Sequence, residues 1–164
     1  MGRMTGVIDP LGNTFGYTYD EEGNLREVTD AYDETISEMT YDEVGNLAET
    51  TDALGNTVTS EYDALNRLIE KIDPLGRTTQ LAYNENDELT MVTDALGGQS
   101  RQDFDADGNR SLLVNTNNGE TTFVYNQAGQ LTSISTEAGQ QVQFTYDDRG
   151  LLAGVTNGDR KSVV

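Results

Sequence analysis

The residues best able to do chemistry are carboxylates, because the chain holds 29 Asp and Glu and neither His nor Cys among its 164 residues. Without imidazole or thiol there is no thiolate metal site, no Cys nucleophile and no Ser-His-Asp relay, so zinc hydrolases and those proteases are excluded. What remains is oxygen chemistry: a hard cation held by carboxylates, or a general acid and base drawn from a carboxylate pair. The stretch Asp103-Phe104-Asp105-Ala106-Asp107-Gly108-Asn109 begins like a calcium loop, with oxygen ligands at alternate positions and Gly at the sixth. Its twelfth position is Val114 instead of a bidentate Glu, and no helical pattern flanks it, so a solvated acidic turn is expected. No metal ligand, catalytic residue or cofactor-binding residue is assigned. Nothing marks a carboxylate pair, because the acids recur with a fixed period.

That period is the strongest signal in the chain. An aromatic followed by Asp or Asn appears at Tyr19, Tyr41, Tyr62, Tyr83, Phe104, Tyr125 and Tyr146, spaced 21 residues apart except for 22 between the first two. Four residues on comes Gly23, Gly45, Asn66, Asp87, Gly108, Gly129 or Gly150; six on comes a leucine, except at Arg110. A second mark follows eleven residues after the aromatic, as Asp30, Asp52, Asp73 and Asp94, with Gly55, Gly76 and Gly97 three places later. β-Branched and aromatic segments such as 57–62 and 67–72, separated by Asp63-Ala64-Leu65-Asn66, predict hairpins. Gly, Asn or Asp at the fourth place suits a positive φ, and Asp at the turn's start can accept from the backbone two residues on.

The expected fold is therefore all-β: hairpin repeats of about 21 residues running as one antiparallel meander over 1–164, with no separate domain. Gly2-Arg3-Met4 falls where Asn66-Arg67-Leu68 falls in its own repeat, so the array is expected to begin mid-repeat. The aromatic column, the leucine column and the set Val28, Val92, Leu113, Ile134 and Val155 are the expected core. The last two columns differ by three positions, which strict alternation would put on opposite faces; either a bulge re-phases the strand or both faces are covered.

Ten basic against 29 acidic residues give a formal net charge of −19 and a sequence pI near 4.1. Such a surface repels phosphate backbones and anionic membranes. The N-terminus carries no signal-peptide pattern and no window is long and apolar enough to insert in a bilayer. Unpaired terminal strands predict weak self-association through sheet edges, strengthened by salt.

The pattern aromatic-Asp-x-x-Gly-x-Leu followed by Asp-x-x-Gly, as in Tyr41-Asp42-Glu43-Val44-Gly45-Asn46-Leu47 and Asp52-Ala53-Leu54-Gly55, resembles the YD repeats of the RHS family. That family includes bacterial RHS proteins, the B and C components of insecticidal toxin complexes, and teneurins. The resemblance implies a long sheet curved into a shell, which in bacteria encloses a C-terminal toxin until delivery. By this resemblance the chain is a structural, non-enzymatic segment of a larger RHS-like polypeptide in a polymorphic toxin system. Its partners would be the rest of that polypeptide and the enclosed toxin, and its place would be secreted or at the cell surface. The alternative is a free-standing YD-repeat module binding carbohydrate or a cell-surface receptor. The two Asp-Pro-Leu-Gly copies at 9–12 and 73–76 are superficially similar to the family's acidic cleavage motif, but they sit at the repeat's own turn position and are read as turns.

Overall fold

The computed structural model describes residues 3–158 and 160–163. Gly2, assigned above to a turn, and the terminal Val164 lie outside the described residues. The chain divides into two units, residues 1–80 and 81–164. The first contains β1 (Gly6–Ile8), β2 (Thr14–Tyr19), β3 (Leu25–Thr29), β4 (Thr35–Tyr41), β5 (Leu47–Asp52), β6 (Thr57–Tyr62) and β7 (Leu68–Ile72). β8 (Thr78–Tyr83) carries the chain into the second. There follow β9 (Leu89–Thr93), β10 (Gln99–Phe104), β11 (Arg110–Val114), β12 (Glu120–Tyr125), β13 (Leu131–Thr136), β14 (Gln141–Tyr146), β15 (Leu152–Asn157) and β16 (Arg160–Val163). Within each unit every strand pairs antiparallel with the one before it, so both are meanders. Among the described residues there is no helix.

The two punctuation marks read from the sequence are one turn used at both ends of the strands. At Asp63 the backbone N–H of Asn66 donates to the Asp63 carbonyl at 2.9 Å, and the Asp63 N–H donates to the Arg67 carbonyl at 3.0 Å. At Asp73 the same pair runs from Gly76 and to Arg77, at 2.9 and 3.0 Å. This is a four-residue turn whose last residue takes the left-handed conformation. Gly fills that position in most copies, as at Gly55 (φ 81), and Asp33 (φ 60), Asn66 (φ 62), Asp87 (φ 64) and Asn118 (φ 62) fill it elsewhere, being among the few side chains that tolerate it.

A bulge settles the phase of the columns. Tyr62 faces Leu68 while Glu61 faces Glu70, so Ile69 is an extra residue opposite one partner. The same shift follows the leucine position at Tyr19, Tyr41, Phe104, Tyr125 and Tyr146. It brings the leucine and the Val/Ile columns to one face with the aromatics. The 22-residue spacing has its own cause. Thr29 faces Thr35 while Val28 faces Ser37, which leaves Ile36 as a second bulge that absorbs the additional residue.

The expected core is not a core. Among the described residues none is buried; the aromatic, leucine and Val/Ile columns are largely half-covered by neighbours on the same face. The reason is topological: a meander whose strands pair only in sequence makes one layer within each unit, and that layer has nothing in its own unit to close its apolar face.

Candidate functional site

With no cavity chemistry to organise, the site is the sheet surface, fixed by three devices that the repeat supplies. The first is the turn aspartate. Asp52 Oδ1 accepts from the N–H groups of Leu54 and Asn56, both at 2.9 Å, and its Oδ2 accepts from the Asn56 side chain at 2.8 Å. Asp42 repeats this with Val44 and Asn46, and in Asp63 and Asp73 the Nε of Arg67 and Arg77 donates to Oδ2 at 2.8 and 2.6 Å. At Asn84 the polarity reverses, the side-chain amide donating to Glu88 at 2.7 Å. The turn acids are thus consumed in structure. Donation to Asp9, Asp42 and Asp52 by the side chains of Asn13, Asn46 and Asn56 holds each carboxyl below its usual 3.8.

At Thr136 the aspartate is missing. The backbone turn persists, with Gly139 donating to the Thr136 carbonyl at 2.9 Å, but the Thr136 hydroxyl is buried without a partner. Thr136→Asp supplies the missing acceptor to the turn amides and removes an orphaned hydroxyl. The variant is expected to be more stable by about 1 kcal/mol in urea unfolding.

The second device is a latch between hairpins. The hydroxyl of Tyr62 donates to the Leu47 carbonyl at 3.1 Å, Tyr19 to Met4 at 2.7 Å and Tyr41 to Leu25 at 2.8 Å. In the second unit Tyr125 donates to Arg110 at 3.1 Å and Tyr146 to Leu131 at 2.8 Å. Phe104 has no hydroxyl, and there Gln102 Nε2 donates to the Leu89 carbonyl at 2.6 Å from the same face two residues earlier. Gln102→Leu is therefore expected to cost about 1 kcal/mol, and Phe104→Tyr in that background to recover most of it. Urea unfolding of the four members of the cycle measures the coupling.

The third device is the bulge, which sorts chemistry between faces. In the second unit one face carries Phe123, Tyr125, Ile134, Val142, Phe144 and Tyr146, and it holds no Asp or Glu on β10–β15. The opposite face is Thr, Ser and Gln over most of its length, with Glu120 and Asp103 among them. In the first unit the polar face carries five glutamates on consecutive strands, with Glu27 directly opposite Glu38 and Glu61 directly opposite Glu70. These carboxylate pairs escape a reading by period alone, since only the bulge brings them into register. Thr35 donates to Glu27 at 2.6 Å and Gln80 to Glu70 at 3.0 Å, on an open face with no enclosing walls.

In the calcium-like stretch Asp105 accepts from the N–H groups of Asp107 and Asn109 at 3.0 and 2.9 Å, while Asp103 lies on β10 with Arg101 3.3 Å away. The stretch is the repeat's ordinary turn, and among the described residues no group of three or more Asp or Glu is placed to hold a metal. Arg110 lies over the Phe123 ring, 4.9 Å from its centroid, and donates to Gln102 at 3.4 Å. Its place in the leucine column is kept by its stem and a cation–π contact. Gly97 and Asn118 occupy the left-handed position of turns. A hollow of about 570 Å³ in the first unit, between the Asp20 and Asp42 turns, is an open recess in which both aspartates already accept from their own loops.

One row of side chains stands apart. The third turn position along one rim of the first unit is Leu11, Tyr32, Leu54 and Leu75, each at least 75% exposed. The aromatic face differs in kind, since there the columns converge and its side chains are half-covered by one another.

The model of the RHS repeat matches this chain over residues 2–35, 41–78, 62–99 and 125–162. The matches leave 100–124 uncovered, the stretch that holds Phe104 and Arg110. No curated protein matches. Among solved structures the chain is similar in fold to TcdB2-TccC3 without its hypervariable C-terminal region, with a TM-score of 0.58 at 14% identity, over 96% of this chain and 11% of that one. It is similar also to TcdB2-TccC3-Cdc42, with a TM-score of 0.57 at 14% identity, over 95% of this chain and 11% of the other. A chain of the Photorhabdus luminescens Tc holotoxin pore gives 0.53 at 15% identity, over 98% of this chain and 11% of that one. The chain thus spans about a ninth of the length of the structures it matches.

Proposed function

Since this chain belongs to the RHS-repeat family, we propose that it is a stretch of wall: a structural segment of a larger RHS-like polypeptide that encloses or presents another polypeptide, such as a C-terminal toxin. The observation that carries this reading is the apolar, acid-free face that nothing within its own unit covers. A sheet with one apolar face gains stability when a second layer meets that face. In a wall, further polypeptide supplies that layer, and neighbouring repeats on both sides extend the strand pairing. The polar face, rich in Glu in the first unit, then looks to water. On this reading the segment catalyses no reaction and works outside the cytoplasm as part of a secreted or surface-displayed bacterial protein.

An antibody against residues 41–82, used on extract of the source cells, tests the proposal. A band far above the 17.9 kDa of this chain is the expected result. A single band near 17.9 kDa overturns it and makes a free-standing binding module for carbohydrate or a receptor the better account.

A further inference from the structure

We infer that the apolar face of residues 81–164 is also a self-recognition surface: when this chain is on its own, the same face of a second copy closes it, sheet upon sheet about a two-fold axis. The charge distribution selects that occupant. The chain carries a formal −19, yet β10–β15 place no Asp or Glu on this face, so two copies meet there without opposing carboxylates and turn their acids outward. On β10–β15 this face holds one cation, Arg110, which lies over the Phe123 ring and donates to Gln102, so its guanidinium is held against its own sheet. A hollow of about 540 Å³ lined in part by Ile134 and Val142 gives the opposing side chains room to enter.

The area fits a reversible pair. Six strands about 4.8 Å apart, each with five residues rising about 3.4 Å, present roughly 29 by 17 Å, or about 1,000 Å² in total when two copies meet. That lies at the ~1,000 Å² where specific interfaces begin, so a weak dimer with Kd in the micromolar range is expected. Sheets joined in this way stack about 10 Å apart. Edge pairing through terminal strands, the mode the sequence suggests, leaves the apolar face bare and gains only one row of backbone hydrogen bonds. The inference rests on the face itself and stands whether or not the chain belongs to a longer wall.

Sedimentation velocity of the whole chain, from about 1 to 500 µM, reads the pair. Ile134→Lys, at the centre of the face, is expected to weaken dimerisation at least tenfold, while Ser133→Lys, its neighbour on the opposite face, leaves it within about threefold. Circular dichroism reports whether each variant is folded. Should Ile134→Lys fail to fold, the wild-type chain decides alone through an apolar dye, 8-anilinonaphthalene-1-sulfonate. Dye fluorescence per chain is expected to fall several-fold as protein concentration rises, because the dye's surface is covered. A monomer throughout the range overturns the inference, as does association with dye binding per chain unchanged. Because the antibody experiment reads polypeptide size and this one reads association, failure of either is recognisable by itself.

Discussion

Deleting Ile36, a half-buried isoleucine in the body of β4, is expected to leave the protein folded and within about 1 kcal/mol of its present stability. The residue opposes no partner of its own: Thr29 faces Thr35 and Val28 faces Ser37, with Ile36 bulging between. Removing it restores the 21-residue spacing and an unbroken ladder. Deleting Val58 from β6 is a change of the same size in sequence and of another kind in structure. Thr50 faces Val58 and Thr51 faces Thr57 without irregularity, so there is no slack to remove. The residues between the Asp52 turn and Tyr62 must slip by one, which turns side chains to the wrong face or breaks the Tyr62–Leu47 latch. A loss on the order of 3 kcal/mol or more is expected, enough to unfold the first unit. Thermal and urea unfolding followed by circular dichroism compare the two. Equal damage from both deletions would mean that the bulge at Ile36 does not exist.

Acid is expected to unfold the chain. Eight turn aspartates, Asp9, Asp20, Asp42, Asp52, Asp63, Asp73, Asp105 and Asp147, titrate below the ordinary 3.8. In Asp63 and Asp73 donation by the Arg67 and Arg77 side chains is the main cause; in Asp105 and Asp147 it is the backbone N–H of Asn109 and of Leu151. At Asp20 partial desolvation pushes upward and is outweighed by the Asn24 side chain, the N–H groups of Asn24 and Gly23, and the charge of Arg3. A carboxyl whose folded pKa lies below its unfolded value contributes stability that is full above the unfolded value and lost as pH falls through the folded one. The melting temperature is therefore expected to be flat from about pH 7 to 5 and to fall steadily below about pH 4. Relief of self-repulsion among the acids works the other way. A melting temperature that rises on going to pH 3 would show that repulsion, and not the turn bonds, governs stability. Asn at the turn position, as in Asn115 and Asn126, keeps the acceptor without the titration, so replacing several of these aspartates by Asn is expected to flatten the curve.

The sequence made the elements and turns legible because each is specified locally. The aromatic, the turn residue four places on and the leucine six places on all act within one hairpin, so spacing alone predicts strand, turn and strand. The phase of the columns was not legible. Leu25 and Val28 differ by an odd number, and only the pairing of Thr18 with Glu27 shows that Arg26 is skipped. Bulges depend on the partner strand and leave no mark in one sequence. For the same reason Ile36 reads only as an irregular spacing, and Glu61 and Glu70 do not read as neighbours. The expected core failed at a further level: a column of apolar residues says which face is apolar, and whether anything covers that face depends on a second layer. The stand-in of Gln102 for the missing Tyr hydroxyl could have been suspected from Phe104, the one non-tyrosine in its column, though not its acceptor.

The account rests on the apolar face being open, and the absence of native cysteine allows a direct test. Thr121 and Thr122 are consecutive on β12, Thr121 facing Leu113 on the apolar side and Thr122 facing Leu112 on the other. Each is replaced singly by Cys, and the rate of alkylation by a maleimide is measured at about 1 µM, where self-association is negligible. An open single layer predicts that the two thiols react at rates within about tenfold of each other and of the unfolded chain. Protection of the thiol at position 121 by about a hundredfold or more at that dilution, with the thiol at 122 reacting freely, would mean that a second layer of this same chain already covers the face.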